Sequence, residues 1–152
     1  MASSFVSFKE RGFWVYDNLL ECITGLLYIA IRRRSIDEKW MQQLESLLKA
    51  NSLGYYSSYM HLDLDEFIVD EDRRDFFISL LNQAIEIVVE SGAELDLRFI
   101  ETELLPERHY LEDNWRFEIK SYVLLKVLYY FELLMYEKLG IEVSDPIFYK
   151  FH

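Results

Sequence analysis

Apolar residues return every three or four positions over most of this chain, and the segments in which they do so predict helices. From Trp14 to Arg33, the residues Val15, Leu19, Cys22, Ile23, Leu26, Ile29 and Ala30 fall on one side of a helix, and Asp17, Glu21, Tyr28 and Arg32 share the opposite stripe. Arg32, Arg33 and Arg34 follow where the negative end of the helix dipole favours cations. Ser35-Ile36-Asp37-Glu38 has the spacing of a capping box and predicts the start of a second helix, with Ile36, Trp40, Leu44, Leu47 and Leu48 as its apolar stripe. Asn51 and Gly54 mark its end.

Asp70, Glu71 and Asp72 place acids at the positive end of a third helix, in which Phe77, Leu80, Leu81, Ala84, Ile85 and Val88 recur at helical steps before Gly92 stops it. A last helix is predicted from Asp113 or Asn114 to Leu139, with Gly140 as terminator. Ile119, Tyr122, Val123, Leu125, Val127, Leu128, Tyr130, Phe131, Leu133 and Leu134 leave it so little polar face that it is expected to be the hub of the core. Residues 55–69 and 94–99 instead alternate briefly between apolar and polar, the pattern of a short strand pair in the connections. The expected architecture is therefore mainly α: a single domain over residues 1–152, built as a helical bundle of about four long helices.

Composition supports a folded domain. The chain has 152 residues, 51% of them hydrophobic and 16% aromatic, enough to bury a core without metal or disulfide. Five Gly and two Pro are few, which favours long regular elements over many turns. Cys22 is the only cysteine, which excludes an intramolecular disulfide and fits a cytoplasmic location. The first ten residues lack the ordered basic, apolar and small-residue regions of a signal peptide. Residues 13–31 are interrupted by Asp17, Asn18 and Glu21, so a core helix is expected there rather than a membrane span.

Charge changes the picture most. The net charge is −11, and up to Arg34 five basic residues face three acidic ones, whereas beyond it eleven face twenty-four. Such a field repels nucleic acid and anionic lipid and steers basic partners over a Debye length of roughly 8 Å at physiological salt. The surplus concentrates in residues 55–75, where Tyr55, Tyr56, Tyr59, Met60 and Phe67 are interleaved with Asp63, Asp65, Glu66, Asp70, Glu71, Asp72 and Asp75, opposed only by Arg73 and Arg74. Aromatics supply contact area at low entropic cost and carboxylates pair with Lys or Arg across an interface. Tyr55, Tyr56, Tyr59, Asp63, Asp65, Glu66, Asp70, Glu71 and Asp72 are accordingly the expected partner-binding residues. A second acidic stretch, 86–113, is expected to extend that face.

Catalytic patterns are not found. His61, His109 and His152 have none of the spacings of a helical metal site, and Asp63-Leu64-Asp65-Glu66 lacks the glycine and third and fifth oxygen ligands of a calcium loop, so no metal or cofactor is expected. Asp17/Glu21 and Glu86/Glu90 are carboxylate pairs on one helix face but have no histidine nearby in sequence, and Cys22, beside Glu21, falls among Ile23, Leu26 and Ala30, where a buried core residue is expected. The glycines are scattered singly, with no phosphate-cradling loop.

A small, acidic, aromatic-rich domain of this kind resembles the immunity proteins of bacterial toxin systems, such as those of contact-dependent growth inhibition. The resemblance rests on size and charge over the whole chain and implies a protein that is not an enzyme. It would bind a basic toxin domain, often a nuclease, and occlude its active site with carboxylates standing in for substrate phosphates. Two other readings are a small acidic chaperone that holds a secreted effector in a groove beside the first helix, and a small enzyme using Glu86/Glu90 or His109.

Overall fold

Alternation begins at the N-terminus, where Ser4, Val6 and Phe8 are buried and Ser3, Phe5 and Ser7 are less so. The computed structural model describes residues 3–52, 61–95 and 119–149, and in it these residues form strand β1 (Ser3–Phe8). Strand β2 (Arg11–Tyr16) pairs with β1 antiparallel, from Ser3 opposite Tyr16 to Phe8 opposite Arg11. The two-residue turn between them puts Lys9 at φ 49° and Glu10 at φ 65°. Positive φ at both central positions is the type I′ arrangement, whose twist matches that of the flanking strands.

This hairpin overturns the mainly-α expectation. The described residues form a mixed α/β domain, four helices with a three-stranded sheet, and Trp14 belongs to β2 rather than to the first helix. A third strand, β3 (Leu62–Asp63), lies parallel to β1 with Val6 opposite Leu62, giving the order β2-β1-β3. Leu62 therefore pairs with the N-terminal strand and not, as expected, with residues 94–99, of which Glu94 instead bridges antiparallel to Lys120. The outer edge of β2 is covered by the chain near its C-terminus. Gly12 N–H donates to Gly140 O at 3.3 Å, Val143 N–H to Gly12 O at 3.0 Å and Trp14 N–H to Val143 O at 2.9 Å, which leaves little of that edge open to pairing with another chain.

Helix α1 (Asp17–Arg32) follows β2 directly and is the hub of the core, a place the sequence pattern assigned to the last helix. It packs against α2, α3, α4 and the hairpin, and every residue from Leu19 to Ile31 is buried. The expected polar stripe is buried too: Asp17, Glu21 and Tyr28 are only 4%, 3% and 4% exposed. Helix α2 spans Lys39–Ser52 and buries Trp40, Leu44 and Leu48. It starts later than the Ser35 box predicts, because the Glu38 carboxylate accepts from the Trp40 indole N–H at 2.7 Å instead of reaching back to Ser35.

Helix α3 (Glu71–Ser91) begins as the pattern predicts, with Asp70 Oδ1 accepting from Arg73 N–H at 2.9 Å, and ends at Gly92, φ 89°. Helix α4 (Ser121–Met135) ends four residues before Leu139. Glu137, at φ 57°, closes it: Lys138 N–H donates to Leu133 O at 2.8 Å and Glu137 N–H to Leu134 O at 3.0 Å, a Schellman motif without its usual glycine. The predicted helix start at Asp113 or Asn114 lies outside the described residues, as does Gly54. A 3-10 turn at Pro146–Tyr149 then seats Phe148 in the core, its ring 5.1 Å from Tyr130 and 6.2 Å from Phe13.

Candidate functional site

The expected partner-binding residues fall into three groups. Tyr55, Tyr56 and Tyr59 lie outside the described residues. Asp63, Asp65 and Glu66 sit on β3 and the 3-10 turn that follows it, Leu64–Glu66, and Asp70, Glu71 and Asp72 on the first turn of α3. All six described carboxylates are exposed, as is Asp75. They point outward because Leu62, Leu64 and Ile68 point inward and anchor the segment in the core.

Four of these acids have structural partners. Asp63 Oδ1 accepts from Asp65 N–H at 3.0 Å and caps the 3-10 turn. Asp65 accepts the Lys9 amide of the hairpin turn at 3.0 and 3.2 Å. Asp70 caps α3, and Glu71 Oε1 lies 3.3 Å from Arg74 Nη2. Glu66, Asp72 and Asp75 make no hydrogen bond or ion pair among the described residues. The two arginines of the segment do little to neutralise them. Arg73 turns back over the Trp40 ring, 4.8 Å from its centroid, and donates to Phe67 O at 3.2 Å, whereas Arg74 serves Glu71.

Two features of the surface were not legible in the sequence. A shallow cleft of about 240 Å³ lies between the hairpin tip, Phe8 and Lys9, and the residues Ile68–Glu71 with Arg74. On its wall Val69 is 65% exposed among the acids. No local signal joins Lys9 to residues some 56 positions away.

The other candidate groups are placed elsewhere. Asp17 is buried, its Oδ1 accepting from Ser4 Oγ at 2.6 Å and its Oδ2 without a hydrogen-bond partner, and Glu21 is buried one turn on. Neither stands on an open helix face. Cys22 is fully buried. Glu86 and Glu90 line a cleft of about 280 Å³ opposite Arg33 and Arg34, so this part of the second acidic stretch faces cations of its own chain. Arg34 reaches Gln83 Oε1 at 3.3 Å. Glu94 pairs with Lys120 at 2.6 Å, and residues 96–113 lie outside the described residues. His61 Nδ1 accepts the Phe5 amide at 2.9 Å, and His109 and His152 are outside the described residues.

A perturbed pair of titratable groups lies away from the acidic face, where it ties the C-terminal segment to α4. Tyr130 donates to Asp145 Oδ2 at 2.7 Å, Lys126 Nζ lies 3.0 Å from the same oxygen and Ile147 N–H donates to Oδ1 at 3.1 Å. Burial, reinforced by the hydrogen bond to Asp145 and its charge, pushes the Tyr130 hydroxyl up to about 12. Burial works against the Asp145 carboxylate, but the hydrogen bonds from Tyr130, Lys126 and Ile147 and the Lys126 charge outweigh it and hold its pKa below the ordinary value.

Among the described residues no group of three or more His, Cys, Asp or Glu side chains could hold a metal ion, and no helix is long and apolar enough to cross a membrane. No family model matches the chain, and comparison with curated proteins and with solved structures found no match.

Proposed function

We propose that the protein is a cytoplasmic inhibitor of the immunity type, which binds a basic toxin domain through the acidic face made by β3, the following 3-10 turn and the start of α3. The observation that carries this reading is the set of uncommitted acids. Glu66, Asp72 and Asp75 are exposed and make no hydrogen bond or ion pair among the described residues, while Arg73 from the same segment is folded back on Trp40. Carboxylates held this way pair with Lys and Arg of a polyanion-binding surface and so take the place of substrate phosphates. Val69 supplies apolar contact in their midst, and Tyr55, Tyr56 and Tyr59, joined to β3 by sequence, are the proposed aromatic anchors.

The groove that a chaperone would need beside the first helix finds no support in a helix buried from Leu19 to Ile31. The reading predicts that the gene immediately upstream encodes a large exoprotein with a basic C-terminal domain, and an upstream gene of any other kind would count against it; the binding itself is tested with that C-terminal domain. Protection of cells expressing that domain, and the affinity of the purified pair, are compared between the wild type and a Glu66→Lys, Asp72→Lys, Asp75→Lys triple variant. Reversing Asp63, Asp65 or Asp70 would instead remove a turn cap, the hairpin contact or the α3 cap. The triple variant is expected to keep its helical content and lose both protection and binding, and wild-type association should slow as salt rises. Full protection at unchanged affinity would sink the proposal.

A further inference from the structure

The cleft of about 280 Å³ between the C-terminal end of α1 and one face of α3 holds charges of both signs, Arg33 and Arg34 from the first and Glu86 and Glu90 from the second. Arg34 is half-buried, and among the described residues its guanidinium meets only neutral groups. Nε and Nη2 each donate to Gln83 Oε1 at 3.3 Å, Nη2 also reaches Ser79 O at 3.5 Å, and the Phe76 ring lies 5.9 Å away. These are long bonds for a guanidinium, whose pairs with carboxylates close to about 2.8 Å. Taking a cation partly out of water without a counter-ion costs free energy that an incoming anion recovers.

The opposite imbalance lies along the same helix. Ser79, Gln83, Glu86 and Glu90 follow one another at three- and four-residue steps, which keeps them on one stripe of α3. Glu86 and Glu90 are exposed and make no hydrogen bond or ion pair among the described residues. Arg34 does not neutralise them, because its bonds to Ser79 and Gln83 hold it towards the N-terminal end of the stripe. At 1.5 Å of rise per residue, Glu86 and Glu90 lie about 5 and 10 Å further along the axis than Gln83. Between the two signs of charge sits Ile87, only 6% exposed, as a patch of apolar floor.

We infer that this cleft binds a small ω-amino carboxylate, its carboxylate on Arg34, its methylenes over Ile87 and its ammonium between Glu86 and Glu90. The unmet charges have opposite sign and a set separation, so the complementary molecule carries both. A chain of five methylenes spans about 7 Å when extended, within the interval between Gln83 and Glu90. The volume suits a ligand of that size, since it falls just below the roughly 300–1,000 Å³ of sites for drug-sized molecules. Free lysine offers this chemistry, and so does lysine at the C-terminus of a peptide. The acidic face proposed for toxin binding contributes no residue to the cleft, so either proposal can fail without the other.

The test is a titration of the full chain with 6-aminohexanoate, followed through the Gln83 side-chain amide signals in NMR spectra. Saturation with a Kd of about 1 mM is expected. Hexanoate and hexylamine, which each lack one charge, should bind about tenfold more weakly, the loss of one charge-assisted contact. Arg34→Gln should abolish the preference over hexylamine but keep the preference over hexanoate, and the Glu86→Gln, Glu90→Gln double variant should do the reverse. A general loss of structure would not divide the two preferences in this way. Free lysine binding more tightly than a peptide that ends in lysine assigns the cleft to the free amino acid, and the opposite order assigns it to a chain terminus. No saturable shift up to about 20 mM 6-aminohexanoate, equal affinity for either singly charged probe, or both preferences kept in the variants would each overturn the inference.

Discussion

The backbone amide of Lys9, at the tip of the N-terminal hairpin, donates to both carboxylate oxygens of Asp65, 56 residues further along the chain. In a two-residue hairpin turn that amide has no cross-strand partner. Asp65 therefore supplies an acceptor and fixes the hairpin tip against the corner that carries the acidic face.

Removing this contact should be measurable although Asp65 is exposed. Asp65→Ala is expected to lower stability by about 1 kcal/mol, the scale of a partly solvated charge-assisted hydrogen bond, and Asp65→Asn by less because one acceptor remains. Glu66→Ala is the control, with a change within about 0.5 kcal/mol. Equal urea midpoints for Asp65→Ala and Glu66→Ala would show that the contact contributes nothing.

Gly12 is required by space rather than by φ. A Cβ there would overlap the Val6 carbonyl oxygen and the Phe5 ring, and its own N–H and C=O hold the C-terminal segment at Gly140 and Val143. Gly12→Ala should destabilise by about 2 kcal/mol or more. A thermal midpoint unchanged in Gly12→Ala would contradict this close approach.

Glu137 holds a left-handed conformation that glycine adopts without penalty. Its ion pair with Lys9, at 3.6 Å and with both side chains about half exposed, offsets little of that. Glu137→Gly is expected to raise stability by about 0.5–1 kcal/mol. A lower melting temperature in calorimetry would place more weight on the ion pair than its exposure allows.

Acid should loosen the C-terminal segment. The folded pKa of Asp145 lies below its ordinary 3.8, so its stabilisation is fully present above the unfolded value and is lost as pH falls through the folded one. The stability gap between the wild type and Asp145→Asn should thus be constant near neutrality and shrink in acid. At the alkaline end Tyr130 titrates at about 12 in place of 10.0, so its contribution is present below pH 10 and lost towards 12. Tyr130→Phe should remove that alkaline limb in denaturation curves, and an unaltered limb would assign it to another group.

Much of the helical layer was legible before folding was considered. The stripe Trp40, Leu44, Leu48 and the stripe Phe77, Leu80, Leu81, Ala84, Val88 are buried as their spacing requires, and Asp70 and Gly92 bound α3. The hairpin was not legible, because its turn is Lys9-Glu10 rather than the Asn-Gly or Asp-Gly that usually announces positive φ. Nor was the burial of Asp17 and Glu21, since polarity suggests a solvated stripe wherever no tertiary neighbour is known.

The sequence by itself determined the helical periods of α2 and α3, the sign and concentration of the charge, and the outward direction of acids set between Leu62, Leu64 and Ile68. Those properties are local, since side-chain spacing and charge do not depend on what packs against them. Tertiary structure decided which acids are committed and which are free. Asp65 belongs to the hairpin through a contact 56 residues distant, while the adjacent Glu66 makes no such bond among the described residues. A hydrogen bond acts only within about 3 Å, and which groups come that close is set by the packing of the whole chain.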